Sequence, residues 1–463
     1  MKRILLTALA LSSAASAEQI TLSAQHQRDL SLTLYTQNLA LIQEHRSLGP
    51  LKPNDQVVVR DVSQQMLPPS LQIFNAGNIL EQSLKQATLN YQNLLFSYIG
   101  RELTLAKQSQ SGDSEIKQQV KLLSVDDRTA MIEADGAIES IPLNSEHWRF
   151  IFPSRPQGML LKPSLTFKSA GKTHSEDIAL SYLSQGLSWQ MDYVLQLNKT
   201  RDNVALKGLA TLYNNTNTVF DNAAIRLLAG SLPQQQRLKR ERMLMASAAM
   251  ADQGAPNQQA QSLGDLYLYK LNANTSLYPQ QQVQVPLFAA QSIPANVRYR
   301  HSFYVAADPG GNAFSVKPEA TLYFKNTLNR ALKQPLPAGQ ARVFTPDSDR
   351  QQQFIGASQI PHTAAGEEIA LALGKAFDLK ITQRRTDYQK TFNGALISLE
   401  LKIENSSNSP KTLELLSNFS HSWELVSSTY PATQKNAGSG KWQFDIPGNN
   451  TTLFTLQARL KTK

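Results

Sequence analysis

In Ile397-Ser398-Leu399-Glu400-Leu401-Lys402-Ile403-Glu404 aliphatic and polar residues alternate without a break. A period of two sets four aliphatic side chains on one face and four polar ones on the other, which fits a strand buried on one side and excludes a helix. Phe454, Leu456, Ala458 and Leu460 repeat the pattern around Thr455, Gln457 and Arg459, as do Trp442, Phe444 and Ile446. The run 206–213 is a further strand, closed by Asn214-Asn215-Thr216-Asn217, and Ala320, Leu322 and Phe324 line one face of another. Turn clusters such as 405–410 separate these strands. Short strands punctuated by turns predict an all-β chain of antiparallel sandwiches, immunoglobulin-like at the C-terminal end.

The stretch 94–153 has tighter spacing. Strands are expected at 101–106, 118–124, 129–134, 138–142 and 148–152, with tight turns at Asp126-Asp127-Arg128 and Asp135-Gly136. Five short strands in so short a segment suit a small closed barrel of the SH3 or Sm type, because closure removes exposed edges. Residues 231–263 break the strand pattern. A basic polar part (234–242), a Met- and Ala-rich part (243–251) and a flexible part (254–261) read as a linker, since the apolar positions form no helical stripe. The expected division is a leader at 1–17, an N-terminal β domain at 18–93 and the barrel at 94–153. A central sandwich follows at 154–230 and 264–375, then a C-terminal sandwich at 376–463.

The leader reading rests on Lys2 and Arg3, the apolar run 4–11, and the small residues Ala15-Ser16-Ala17, with cleavage expected after Ala17. That run is too short for a membrane span, which needs roughly 20 residues. The expected location is therefore the periplasm or the cell exterior. With no cysteine in 463 residues, apolar cores rather than disulfides must hold the fold, and thiolate metal sites and cysteine nucleophiles are excluded. The formal charge of +10, two fewer once Lys2 and Arg3 leave, favours anionic surfaces or simply solubility. The basic residues are scattered and form no nucleic-acid motif.

Catalytic motifs are scarce. His174-Ser175-Glu176-Asp177 lacks the second histidine of a zinc pair, and Gly438-Ser439-Gly440 reads as a turn rather than a nucleophile elbow. His26, His45, His147, His174, His301, His362 and His421 have no ligand spacing. Asp347-Ser348-Asp349 offers two carboxylates to a cation, but Arg350 stands where a calcium loop needs glycine, so a solvated turn is the simpler reading. No metal or cofactor is expected. Trp148, Trp189, Trp423 and Trp442 lie in or beside strands, where core filling competes with sugar stacking.

Ser181-Tyr182-Leu183-Ser184-Gln185-Gly186-Leu187-Ser188-Trp189-Gln190-Met191-Asp192-Tyr193 resembles the hallmark "SYL-x-x-GLSW-x-x-DY" of an exported family called domain of unknown function 4139. The resemblance continues at 209–215, 224–230, 264–269, 336–349 and 373–378, and so covers roughly 180–463. Residues 35–42, Pro69-Ser70-Leu71 and 98–101 resemble the region that precedes this domain in longer members. The resemblance implies an exported β-rich protein and brings no catalytic residues.

Within the hallmark, Gly186 suits a turn or bulge that needs positive φ. Leu187, Trp189 and Met191 alternate, so Trp189 should pack inward. Asp192 should pin the strand end through backbone amides, with Tyr193 completing the string.

Three functional readings remain. The chain presents β surfaces to an envelope polymer or protein partner without catalysis. Alternatively it hydrolyses envelope glycan or peptide, using a carboxylate pair drawn from Asp192, Asp221, Glu367 and Glu368. The third reading is partner-strand recruitment at an open sheet edge.

Overall fold

The computed structural model describes residues 19–85, 89–108, 115–145, 147–156, 159–171, 176–230, 260–326 and 334–461. The expected leader with Ala17, His174, and residues 231–259 of the expected linker lie outside these. The described residues are nearly all β, arranged in five sheets. No described helix is long and apolar enough to cross a membrane.

Three sheets share the largest core. A four-stranded sheet runs Gln19–Leu22, Gln56–Arg60, Ser164–Ser169, Ile79–Lys85. An eight-stranded sheet has the path Ala260–Leu263, Leu266–Lys270, Phe220–Ala229, Gln27–Tyr35, Ala40–Ser47, Asp177–Ser184, Gln72–Phe74, with Thr275–Leu277 also on Phe220–Ala229. The ten-stranded sheet contains the hallmark strand Leu187–Leu197 between Asn203–Asn214 and Gly339–Pro346. Val57, Val59 and Phe167 from the first sheet meet Leu32, Ile42 and Tyr182 from the second and Trp189, Met191 and Tyr193 from the third in one apolar cluster. Fully burying each aliphatic side chain stabilises by roughly 1.5–3 kcal/mol.

The N-terminal segment expected as a separate domain owns no sheet. Its strands pair with Ser164–Ser169, Asp177–Ser184 and Phe220–Ala229, the last in parallel with Gln27–Tyr35. The 94–153 region therefore sits between Ile79–Lys85 and Ser164–Ser169, two strands that are ladder partners. A parallel pairing needs a long crossover rather than a tight turn, so local alternation gives no sign of it.

In that inserted region all five expected strands form, as Glu102–Gln108, Glu115–Val125, Thr129–Ala134, Ala137–Pro142 and Trp148–Ile151. Asp135 (φ 51°) and Gly136 (φ 81°) make the two-residue turn with both φ values positive, the twist that suits a hairpin. Closure into a barrel does not follow. The ladder begins at Ala137–Pro142 and ends at Trp148–Ile151, with no backbone pairing between these edges among the described residues. Side chains bridge the seam instead. The Trp148 indole donates to the Pro142 carbonyl at 3.0 Å, and Lys107 lies 3.9 Å from Glu139. Pro142, with no N–H, cannot donate to a closing ladder. A short helix, Tyr91–Ser97, precedes the first of these strands, in a stretch for which the sequence suggested no element. Asn90 caps it through Asn93 N–H at 2.8 Å, and its Leu95 enters the small core of this unit.

The other correction concerns the linker, whose last four residues form strand Ala260–Leu263 in a hairpin with Leu266–Lys270 around Gly264.

The C-terminal sandwich starts before residue 376. One layer holds Phe314–Val316, Leu379–Thr391, Gly394–Asn405, Asn450–Lys461 and Ser422–Ser428. The facing layer is the second half of the 25-residue strand Gln281–Val305 together with Lys411–Phe419, Ser439–Ile446 and Gln434–Lys435. Ile397, Leu399, Leu401 and Ile403, the aliphatic face of the alternating run, meet Leu413, Leu415, Trp442 and Phe454 between the layers. The first half of Gln281–Val305 pairs with Asn203–Asn214 in the central body, so one strand serves both cores.

Candidate functional site

The hallmark string bends at Gly186, whose φ is +84°. A Cβ there would lie 2.5 Å from Thr216 Cγ2 and 2.7 Å from Gln65 Nε2, so glycine is required both by conformation and by space. Its N–H donates to Asn38 Oδ1 at 2.9 Å, joining the turn to the N-terminal strands. Beyond it, Leu187, Trp189, Met191 and Tyr193 all enter the central core, as the alternation requires. The Trp189 indole donates to the Leu228 carbonyl at 3.1 Å, tying the ten-stranded sheet to the eight-stranded one. The Tyr193 hydroxyl donates to the Pro337 carbonyl at 2.5 Å, and burial pushes its phenol well above the ordinary range. Such a tyrosine is a structural donor, not an acid for catalysis.

Asp192 points to the opposite face and is nonetheless buried. It does not bind backbone amides as the sequence reading expected. Oδ2 accepts from the Thr211 hydroxyl at 2.6 Å and Oδ1 from Arg342 at 2.9 Å. The register explains this: Thr211 is opposite the neighbouring Gln190, and Arg342 opposite Val194, each on an adjoining strand. Gln284 extends the network by donating to Thr211 Oγ1 at 3.1 Å.

The other candidate acids stay apart. Asp221 accepts from Ser276 at 2.5 Å, Glu367 accepts from the Ala364 N–H at 2.8 Å, and Glu368 opens strand Glu368–Lys375. Asp347 accepts from Asp349 N–H, Gln351 N–H and Gln353 Nε2, while Arg350 takes φ 63°. This is a hydrogen-bonded turn of the kind expected. Among the described residues no group of three or more histidine or acidic side chains could hold a metal ion. His45 meets Asp29 at 2.7 Å, His301 meets Gln383 at 3.5 Å, and His362 accepts from Ala338 N–H. Of the tryptophans, Trp189 and Trp442 are fully buried, and Trp423 stacks on Phe419 at 4.0 Å.

The sequence reading passed over Glu44 and Arg46. Both lie inside the N-terminal layers, at 3% and 1% side-chain exposure. Glu44 Oε2 accepts from Arg46 Nε and Nη2 at 3.1 and 3.0 Å, and Arg46 Nη1 donates to the Arg60 carbonyl at 2.7 Å. Burial pushes the Glu44 carboxyl above its ordinary value, against the pull of Arg46. A signal for the pair exists in strand Ala40–Ser47. Ala40 and Ile42 set the inward parity, and Glu44 and Arg46 continue it.

The Arg60 carbonyl leads to a cleft of about 360 Å³ lined by Ser23, Arg60, Asp61, Arg155, Lys162 and Ser164, with an apolar wall formed by Met159, Leu160, Leu161 and Pro163. A second cleft, of about 200 Å³, is lined by hydroxyl-bearing residues with Glu400, which pairs with Arg384 at 2.7 Å. Neither cleft holds two carboxylates. None of Asp192, Asp221, Glu367 and Glu368 lines either one.

Comparison of the sequence with protein families finds no family model that matches it, and no curated protein matches it either.

Proposed function

We propose that this chain is an exported protein of the cell envelope, periplasmic or extracellular, that binds or scaffolds an envelope polymer or protein partner without catalysing a reaction on it. The leader pattern at 1–17 supports export. We place it with the exported family of domain of unknown function 4139 on the strength of the string Ser181 to Tyr193. The two-layered C-terminal core fits an immunoglobulin-like sandwich, and the five short antiparallel strands of the inserted unit fit an open SH3-like module.

One observation carries the non-catalytic part of this reading. The acid in the hallmark, Asp192, has both oxygens engaged by Thr211 and Arg342 and lines neither cleft. A general acid or nucleophile of a glycoside hydrolase needs a second carboxyl group about 5–10 Å away across a cleft. The arrangement around Asp192 instead resembles a structural cross-strand tie.

The test is incubation of the leaderless chain with purified peptidoglycan and with outer-envelope fractions. Sedimentation of the chain with one fraction, without release of soluble fragments, is the expected result. Fragment release abolished in Asp192→Asn would replace this reading with the hydrolase.

A further inference from the structure

We propose that the cleft beside Arg60 binds a phosphate monoester carried on an apolar chain. The site goes beyond the general binding role above and does not depend on export or on family membership.

Charge is the first argument. Arg60, Arg155 and Lys162 line the cleft with Asp61 as the single acid. Lys162 sits 2.8 Å from Asp61 Oδ1. Arg60 and Arg155 have no carboxylate within ion-pairing distance among the described residues. Two positive charges are thus left uncompensated in one concavity, which matches a phosphate monoester with a charge of about −1.5 to −2 at neutral pH. Guanidinium groups suit it further because their forked donors reach two phosphate oxygens at once. The Ser23 and Ser164 hydroxyls in the same lining supply neutral donors.

Placement is the second argument. Arg60 ends strand Gln56–Arg60, and its carbonyl is held by Arg46, itself fixed by the buried Glu44. Asp61 follows with φ 61°, and its Oδ2 accepts from the Ala24 N–H at 3.4 Å. One side of the cleft, Arg60 with Asp61, is therefore fixed at a strand end, while residues 155 and 159–163 of the lining belong to the connection that leads into strand Ser164–Ser169. Burial alone would raise the Asp61 carboxyl, but Lys162 outweighs it and holds the group below its ordinary value, ionised alongside the ligand.

The apolar wall is the third argument. Leu161 is 62% exposed and lines the cleft together with Met159, Leu160 and Pro163, so the lining offers apolar surface beside its charged groups. A volume of about 360 Å³ falls in the range of small-ligand sites, and admits a headgroup with the first part of its tail. The second cleft lacks this combination, since its charged group is an acid already paired.

Isothermal titration of the leaderless chain with decyl phosphate, inorganic phosphate and decyl maltoside, the amphiphiles below their micelle concentrations, tests the site. Decyl phosphate should bind once per chain, more tightly than inorganic phosphate, with decyl maltoside not bound. Arg60→Gln with Arg155→Gln should weaken decyl phosphate by at least about tenfold, and Arg128→Gln, on a distant turn, should leave it unchanged. If the double variant fails to fold, Arg155→Gln alone, which touches no core contact, carries the test. Equal binding of decyl phosphate and decyl maltoside, or binding unaffected by the arginine variants, overturns the proposal. Inorganic phosphate binding as tightly as decyl phosphate overturns the apolar half and so the amphiphile.

Discussion

Glu44 and Asp192 are almost equally hidden, at 3% and 5% side-chain exposure, yet they are held in opposite ways. Glu44 relies on Arg46, an arginine as buried as itself, between apolar layers. Asp192 relies on Thr211 from within the sheet and on Arg342, which is 47% exposed and reaches in from solvent. Removing a partner from the first pair strands a charge where water cannot reach it. Removing Arg342 opens a path for water. Depth of the partner, not depth of the acid, therefore sets what each contact is worth.

The sharpest way to break this contrast is Arg46→Ala. It should destabilise the folded chain by about 3–5 kcal/mol, read from the urea midpoint, because Glu44 is left alone. Replacing both, Glu44→Leu with Arg46→Met, should recover most of that loss. A small effect of Arg46→Ala would mean that Glu44 already folds as the neutral acid.

Thr211→Val comes next. It leaves Asp192 Oδ2, in a buried spot, with only the long 3.5 Å contact from Gln190 Nε2 and should cost about 1–3 kcal/mol. Arg342→Ala should cost about 1 kcal/mol or less and lose even that in high salt, since half of this arginine is in water. An Arg342→Ala loss as large as that of Arg46→Ala would erase the distinction.

The smallest expected effect is on pH dependence. Burial raises the folded-state pKa of Glu44 above its unfolded value. The stability it contributes is then full below the unfolded value near 4.5 and is lost as pH rises through the folded one. Asp378 acts in the other sense. Burial raises it, but the Lys411 ammonium outweighs burial and holds it low, so its share is lost in acid as pH falls through the folded value. The readout is consequently the difference in melting temperature between Glu44→Gln and the parent chain. Glu44→Gln should gain on the parent from pH 4.5 to 7, and parallel curves would remove Glu44 as the source.

Much of the strand content was legible because one-sided burial writes itself as alternation. Ile397 to Ile403, Trp189 and the Asp135-Gly136 turn all sit where local pattern put them. Asn405, in an expected turn, does more than turn. Its side chain donates to the Ser409, Ile446 and Pro447 carbonyls, a convergence that no local pattern encodes. Pairing between distant strands was not legible either. The parallel match of Ala224 with Ser31, and of Met191 with Gly339, depends on core shape rather than on neighbouring residues. The same reason hid the binding cleft, whose lining comes from residues 23, 60–61, 155 and 159–164. Asp192 was found but given the wrong partners, because its ligands stand on adjoining strands whose register a single segment cannot specify.

Strand Gln281–Val305 passes from one core to the next with no coil between. The joint is strand throughout, with a bulge at Ser292, whose φ is 60°. A pull on the C-terminal end is transmitted as tension along a hydrogen-bonded ribbon into the central body, rather than absorbed by an extending tether. Anchored at one side and tugged at the other, this molecule would behave as a stiff strut, able to keep two attachment points at a set separation.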